Sequence, residues 1–441
     1  MRTILKGGTI VDGDRQEKAD LVIEDSRIAG MEESASTAGA EVVDLSGCYV
    51  MPGIIDTHVH FREPGNTAAA DIYSESRAAA CGGVTSFFDM PNNNPPAVSA
   101  DALDFKRSIA ARDSMVNYSF YLGATNSNID EINNADAHRV CGVKVFMGSS
   151  TGGMLVDKAA ALHSIFSSSR IPIVTHCEDM DIINVNAAAA RQKYGDDPDV
   201  RMHTVIRSAE ACYASSSMAV KMAEDTGADL HVAHISTAKE LDLFSSQNNK
   251  ITAEACIPHL VFCDADYSSK GALIKCNPSV KSAEDRETLR KNLSRGGKIY
   301  TVSTDHAPHL PEKKRGGAFR AASGMPSVQF SLINTLKLVD EGYIDLEDVA
   351  RLMANNPARR FNVSRRGFIR DGYYADLTVF RPCAQYMLSA RDVVSKCGWT
   401  PYAGMKYDWR VEHTFINGVE VYSSKRGLSP ESCGQEILFD R

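Results

Sequence analysis

A (β/α)8 barrel flanked by a small β-sandwich is the fold predicted by this sequence, an α/β class, on three observations. Between residues 53 and 360, short apolar runs alternate with longer helical stretches, giving about eight strands with helical connectors. The first fifty residues and the residues after 360 read instead as short strands joined by tight turns. No Gly-rich nucleotide fingerprint follows an early strand, which ranks a doubly wound open sheet lower. The expected division is therefore 1–52 and 361–441 for the sandwich and 53–360 for the barrel.

Each element has a local reason. Thr3-Ile4-Leu5, Thr9-Ile10-Val11 and Leu21-Val22-Ile23 are β-rich runs separated by Gly7-Gly8 and Asp12-Gly13, and Glu41 to Asp44 leads on to Tyr49-Val50. Gly53 to Asp56 looks like a buried strand, and Asp71 to Cys81 is an Ala-rich helix stopped by Gly82-Gly83. Further strands are expected over Val84 to Phe88, Ser119 to Leu122, Val143 to Met147, Ile173 to Thr175, Leu230 to Ala233, Ile251 to Ala253 and Tyr300 to Ser303. After residue 360, Ala375 to Phe380, His413 to Ile416 and Val419 to Tyr422 return to strand patterning. Asn417-Gly418 between the last two is a strong hairpin signal.

Composition excludes some partners. The chain has 441 residues, 43% apolar and 24% charged, ordinary for a globular protein, and its length fits a large catalytic domain with a smaller module. A net charge of -8 disfavours nucleic acid, which wants a basic surface, but leaves room for a small anion held by a few local cations. The N-terminus lacks the apolar core of a secretory signal, and no run approaches the ~20 apolar residues of a membrane span. The 11 Cys are scattered singly with no CxxC, as expected for free buried thiols in a cytoplasmic protein. Cys177 stands out because it adjoins a candidate ligand.

The chemistry concentrates in Asp56-Thr57-His58-Val59-His60-Phe61-Arg62-Glu63-Pro64-Gly65. Two His two residues apart on a strand face the same way and, at a strand's C-terminal end, reach one metal in a barrel mouth. An HxH alone is weak and fits a solvated strand. His176 and His234 each end a later apolar run; taken singly, either is more simply a hydrogen-bonded core His. Together the four His form a set, whereas His231 alternates off that face and is expected to be structural. Asp305, in Thr304-Asp305-His306-Ala307-Pro308-His309, either caps a turn or acts as metal ligand and general base. Lys144 lies in a buried-looking strand. It either snorkels to the surface or is carbamylated by carbon dioxide, which turns the amine into a bridging carboxylate.

These motifs, with Asp89-Met90-Pro91-Asn92 and Asn277-Pro278, occur in the order seen in cyclic amidohydrolases, and the chain resembles that superfamily from about residue 4 to 425. Within it the closest likeness is to dihydroorotases. The resemblance implies that His58, His60 and Asp305 hold one zinc and His176 and His234 a second, with carbamylated Lys144 bridging them. Many bacterial dihydroorotases carry an Asp shortly after this strand; Met147 to Thr151 offers no carboxylate, which favours Lys144. The resemblance further implies that Arg62, Asn92 and His309 grip the carboxylate of carbamoyl aspartate or dihydroorotate. It places Asn277 and the backbone at Ser323 and Gly324 against the ring. Asp305 would act as base, then acid, toward a metal-activated hydroxide and the departing ring nitrogen. Two departures from the family, Pro258-His259-Leu260 and Ala322 to Pro326, touch no ligand. An allantoinase or dihydropyrimidinase-like enzyme is the nearest rival and usually lacks the Arg or the second His. An inactive scaffold should have lost ligands, and metal storage has no use for Arg62 and His309. A homodimer is a family-level expectation.

Overall fold

The computed structural model describes residues 2–148 and 154–441. Ser149, Ser150 and Thr151, part of the stretch read above for its lack of a carboxylate, lie outside the described residues.

Barrel strands run parallel in chain order: Ile54–Val59, Val84–Asp89, Asn117–Phe120 continued by Leu122–Gly123, Val143–Phe146, Ile173–His176, Leu230–Val232, Ile251–Cys256 and Ile299–Ser303. The third is broken at Tyr121, whose hydroxyl donates to the Thr57 carbonyl across the interior at 2.9 Å. Closure of the ring is made at its C-terminal end. Val59 bridges His306, and the His60 amide donates to the His306 carbonyl at 2.7 Å. Below this, Thr304 donates to the buried Asp56 through its hydroxyl at 2.6 Å and its amide at 3.2 Å. Burial lifts Asp56 to about 7, with these bonds pulling the other way.

The predicted helix runs Ile72–Cys81. Asp71 caps it by accepting from the Ser74 amide at 2.8 Å, and Gly82 ends it. Its buried Glu75 meets His306 Nε2 at 2.9 Å, so the helix after the first strand anchors the loop after the eighth.

Both chain ends build the sandwich. Tyr49–Pro52 pairs antiparallel with Leu377–Met387 and parallel with Thr9–Asp12, placing N- and C-terminal strands in one seven-stranded sheet. A four-stranded sheet of N-terminal strands packs against it through Leu5, Leu21, Ile23, Leu377 and Phe415. The Asn417-Gly418 hairpin forms with positive φ at both residues, 51° and 82°. A Cβ on Gly418 would come within 2.2 Å of the Asp25 carbonyl oxygen, so only glycine fits there.

Not all of the C-terminal segment stays in the sandwich. Residues 390–405 cross to the barrel mouth, where the Trp399 indole donates to the His309 carbonyl at 2.7 Å. The final residues run beneath the barrel, burying Ile437 and Phe439. All eleven cysteines are free, as expected. No helix among the described residues is long and apolar enough to cross a membrane.

Candidate metal centre and substrate cavity

Three strand ends deliver the four histidines to one mouth, where their rings form a chain. Centroids lie 5.6 Å apart for His58–His60, 5.2 Å for His58–His234 and 4.7 Å for His176–His234. His58 gives its Nδ1 to Glu254 at 2.7 Å, and His60 gives its own to Asn92 Oδ1 at 2.7 Å. Both Nε2 atoms then point at one oxygen of Asp305, 3.4 and 3.1 Å away.

Three lone pairs converging this closely repel unless a cation or a proton lies among them. Burial, opposed by Asp305, holds His60 near 4, so a proton on it is disfavoured at neutral pH. Burial pushes Asp305 up, but His58, His60 and Lys144 outweigh it and hold that carboxyl at about 2. Donors about 2.0 Å from a tetrahedral ion stand roughly 3.3 Å from one another, the spacing found here. These residues fit a divalent cation.

The second cluster has the same logic. His176 Nε2 contacts Glu178 at 2.9 Å, leaving Nδ1 facing His234 Nε2 at 2.9 Å. His234 Nδ1 has no partner, and burial keeps this ring's pKa well below its usual value. Between the clusters, Lys144 is fully buried and its Nζ makes no hydrogen bond. Burial, against the pull of Glu254 and Asp305, lowers it to about 8. An orphaned, desolvated amine beside five candidate ligand side chains fits conversion to a carbamate.

Backbone strain marks the same places. Arg62, His234 and Asp305 all sit at positive φ, 67°, 37° and 45°, which costs a non-glycine residue on the order of 1–3 kcal/mol. His234 is held there by its amide, which donates to Glu254 at 3.1 Å. His231, expected to be structural, bonds Thr252 and Thr301. Cys177 is buried with its thiol pushed up to about 11, and its Sγ donates to Thr175 Oγ1 at 3.3 Å. Glu254 and Cys256 also cluster with His58, but Glu254 is already an acceptor for His58 and Cys256 is held protonated by burial.

Above the histidines opens a cavity of about 490 Å³ lined by every expected substrate contact: Arg62, Asn92, Asn277, His309, Ser323 and Gly324. Asn92 therefore has a second task, holding His60. Arg62 is buried and donates from Nε to the Pro308 carbonyl at 3.1 Å. Burial lowers it only to about 10, so it stays charged. Its Nη2 faces His309 Nε2 at 3.2 Å, while that nitrogen also faces the Ser323 carbonyl at 2.9 Å. Burial, Arg62 and Lys314 push His309 to about 3, so the ring is neutral with one N–H. Whichever nitrogen carries the proton, either Arg62 or Ser323 is left short. A Cβ on Gly324 would stand 2.6 Å from the Ala307 carbonyl oxygen, so glycine brings this backbone against His309.

Several working residues escaped sequence reasoning. Glu254 sits inside an apolar strand, Ile251–Cys256, and a carboxylate at such a position was a readable signal. Glu178 accepts from His176 and Arg207, tying the second cluster to the cavity wall. Lys314 is buried and donates to the carbonyls of Lys275, Ala322 and Gly324 at 3.0, 2.8 and 2.7 Å, fixing the segment that carries Ser323. Trp399 lies too far along the chain for any local pattern to reveal it.

Comparison with known proteins agrees with this geometry. An allantoinase of Rubrobacter xylanophilus is 31% identical over 440 residues, covering 97% of this chain and 95% of its own. A dihydroorotase of Halobacterium salinarum is 35% identical over 392 residues, covering 88% and 90%. The L-hydantoinase (dihydropyrimidinase) of Arthrobacter aurescens superposes with a TM-score of 0.94 at 26% identity over 99% of both chains. Residues 49–421 match the amidohydrolase family model. With this match spanning most of its length, and candidate metal ligands gathered at one barrel mouth, the chain belongs to the amidohydrolase family.

Proposed function

We propose that the protein is a dihydroorotase, interconverting N-carbamoyl-L-aspartate and dihydroorotate in pyrimidine synthesis. The observation that carries this reading is Arg62: a buried guanidinium at the cavity floor, paired with no carboxylate among the described residues, whose Nη2 faces a neutral His309. A buried cation calls for an anion, and dihydroorotate brings a carboxylate where neutral cyclic amides bring none. The relatives' names divide between dihydroorotase and allantoinase, so allantoin is the second substrate to test.

His58, His60 and Asp305 would hold one divalent cation, His176 and His234 another, with carbamylated Lys144 between them; zinc suits this nitrogen and oxygen set. Such a pair, when bound, acidifies water and polarises the carbonyl under attack. The chain's own residues do the rest. Glu254 and Asn92 fix the His58 and His60 tautomers. Arg62, His309 and Asn277 orient the ring so that one carbonyl faces Asp305. Asp305, ionised at neutral pH, takes a proton at its carboxylate and returns it to the leaving ring nitrogen. We read the enzyme as cytoplasmic and homodimeric, acting on a small molecule.

The test is a comparison of carbamoyl aspartate and dihydroorotate with allantoin and hydantoin. The expected preference is for the first pair. Arg62→Ala should raise KM and lower kcat/KM roughly a hundred-fold, about 3 kcal/mol for a lost charge-assisted contact. Asp305→Ala should retain zinc and lose turnover. Faster hydrolysis of allantoin than of dihydroorotate would overturn the assignment.

A further inference from the structure

The cavity holds a second buried cation that the metal centre and the Arg62 grip leave unused. Lys275 lines it at 3% exposure, and its ammonium spends one of three donors on the Ala321 carbonyl. No carboxylate pairs with it among the described residues. Its charged neighbour on the wall, Arg207, is already committed to Glu178. Two more cations stand farther out: Arg191, lying over the Phe319 ring at 4.1 Å, and Arg320. Asp305 is the single acid in the described lining, in a chain whose net charge is -8.

Burying an ammonium with two donors unspent is costly, and the fold holds it in place rather than letting it reach solvent. The Lys275 carbonyl accepts from the Gly324 amide at 2.8 Å and from Lys314, so its backbone is tied to the substrate segment. Arg62 and Lys275 are thus two buried cations facing one cavity, and no carboxylate among the described residues forms an ion pair with either.

We propose that Lys275 is a second anion-binding position of this cavity, separate from Arg62, so that ligands carrying two acidic groups bind more tightly than those carrying one. This rests on the cavity being the substrate site, where carbamoyl aspartate, the open form, carries two carboxylates and dihydroorotate one. Allantoin and simple hydantoins, which carry no carboxylate, would leave both cations unmatched.

The test is thermal stabilisation of the metal-loaded protein by acetate and by the dicarboxylates from malonate to adipate, at equal ionic strength. The best dicarboxylate should bind about ten-fold more tightly than acetate, since a second charge-assisted contact adds more than 1 kcal/mol. Lys275→Met should remove that advantage, Lys275→Arg should keep it, and Lys275→Gln gives the same comparison if the Met variant folds poorly. An advantage that survives Lys275→Met overturns the proposal, as does a wild type without one. Loss of all anion response in Arg62→Met alone would show a single position and overturn it too. Turnover distinguishes the two levels: a dicarboxylate advantage without dihydroorotate turnover removes the substrate assignment but leaves the second position standing.

Discussion

Glu254→Gln isolates what a buried carboxylate does for the metal centre without touching a ligand. Burial alone would raise the Glu254 pKa, but His58 and His231 outweigh it and hold the group well below the usual carboxylate range, so it is an anion in the fold. One oxygen takes His58 Nδ1 at 2.7 Å and the His234 amide at 3.1 Å; the other takes the Thr57 hydroxyl at 3.2 Å. A glutamine has the same shape and retains one acceptor, but turns a charge-assisted bond to His58 into a neutral one. That difference is about 1–1.5 kcal/mol, or about ten-fold in affinity, at the lower end of the ten- to hundred-fold range for partners of metal ligands. The effect should appear as weaker zinc binding in competition with a fluorescent chelator, with activity recovering at excess zinc. Unchanged zinc affinity in a folded Glu254→Gln protein would refute the orienting role.

Other outcomes follow from the same geometry. Lys144→Ala should lower the metal content from two ions to one by elemental analysis, with propionate partly restoring turnover by filling the vacated volume. Lys314 is depressed by burial, then by Lys275 and Arg62, to about 7 against its usual 10.5. The unfolded chain therefore holds a proton that the folded chain lacks across that window, and stability rises with pH from about 7 to 10.5. Lys314→Met should flatten that slope in urea titrations run at several pH values. Deleting residues 437–441 removes buried Ile437 and Phe439 and the three carbonyl contacts of Arg441. At about 1.5–3 kcal/mol per apolar side chain the loss is roughly 3–6 kcal/mol, visible as a lower melting temperature.

The strands and the histidines were legible because both are local signals. A short apolar run ending in His or Asp is visible in a window of six residues, and the barrel geometry turns such endings into neighbours. The Asn417-Gly418 turn was legible for the same reason, since its backbone conformation is dictated by two adjacent residues. What stayed hidden is contact made across long stretches of chain. Glu254 is 196 residues from the His58 it holds, and Trp399 is 90 from His309. The exposed strand Arg15–Lys18 was missed because it has no apolar residue, and pairing with Thr9–Asp12 makes it a strand. Asn92 was expected at the substrate; its bond to His60 arises only once the first two strands lie side by side.

The crossing of residues 390–405 to the mouth of the barrel has a consequence for how the enzyme matures. Trp399 and its neighbours arrive only after every ligand of the metal centre has been synthesised, yet Trp399 fixes the backbone of His309, and Tyr402 and Thr400 hold Ser327 and Pro326 nearby. A nascent chain that has just emerged past Asp305 thus contains every candidate cation ligand before the segment around His309 is secured. Residues 399–402 thus fasten the segments around His309 and Ser327 from the far end of the chain.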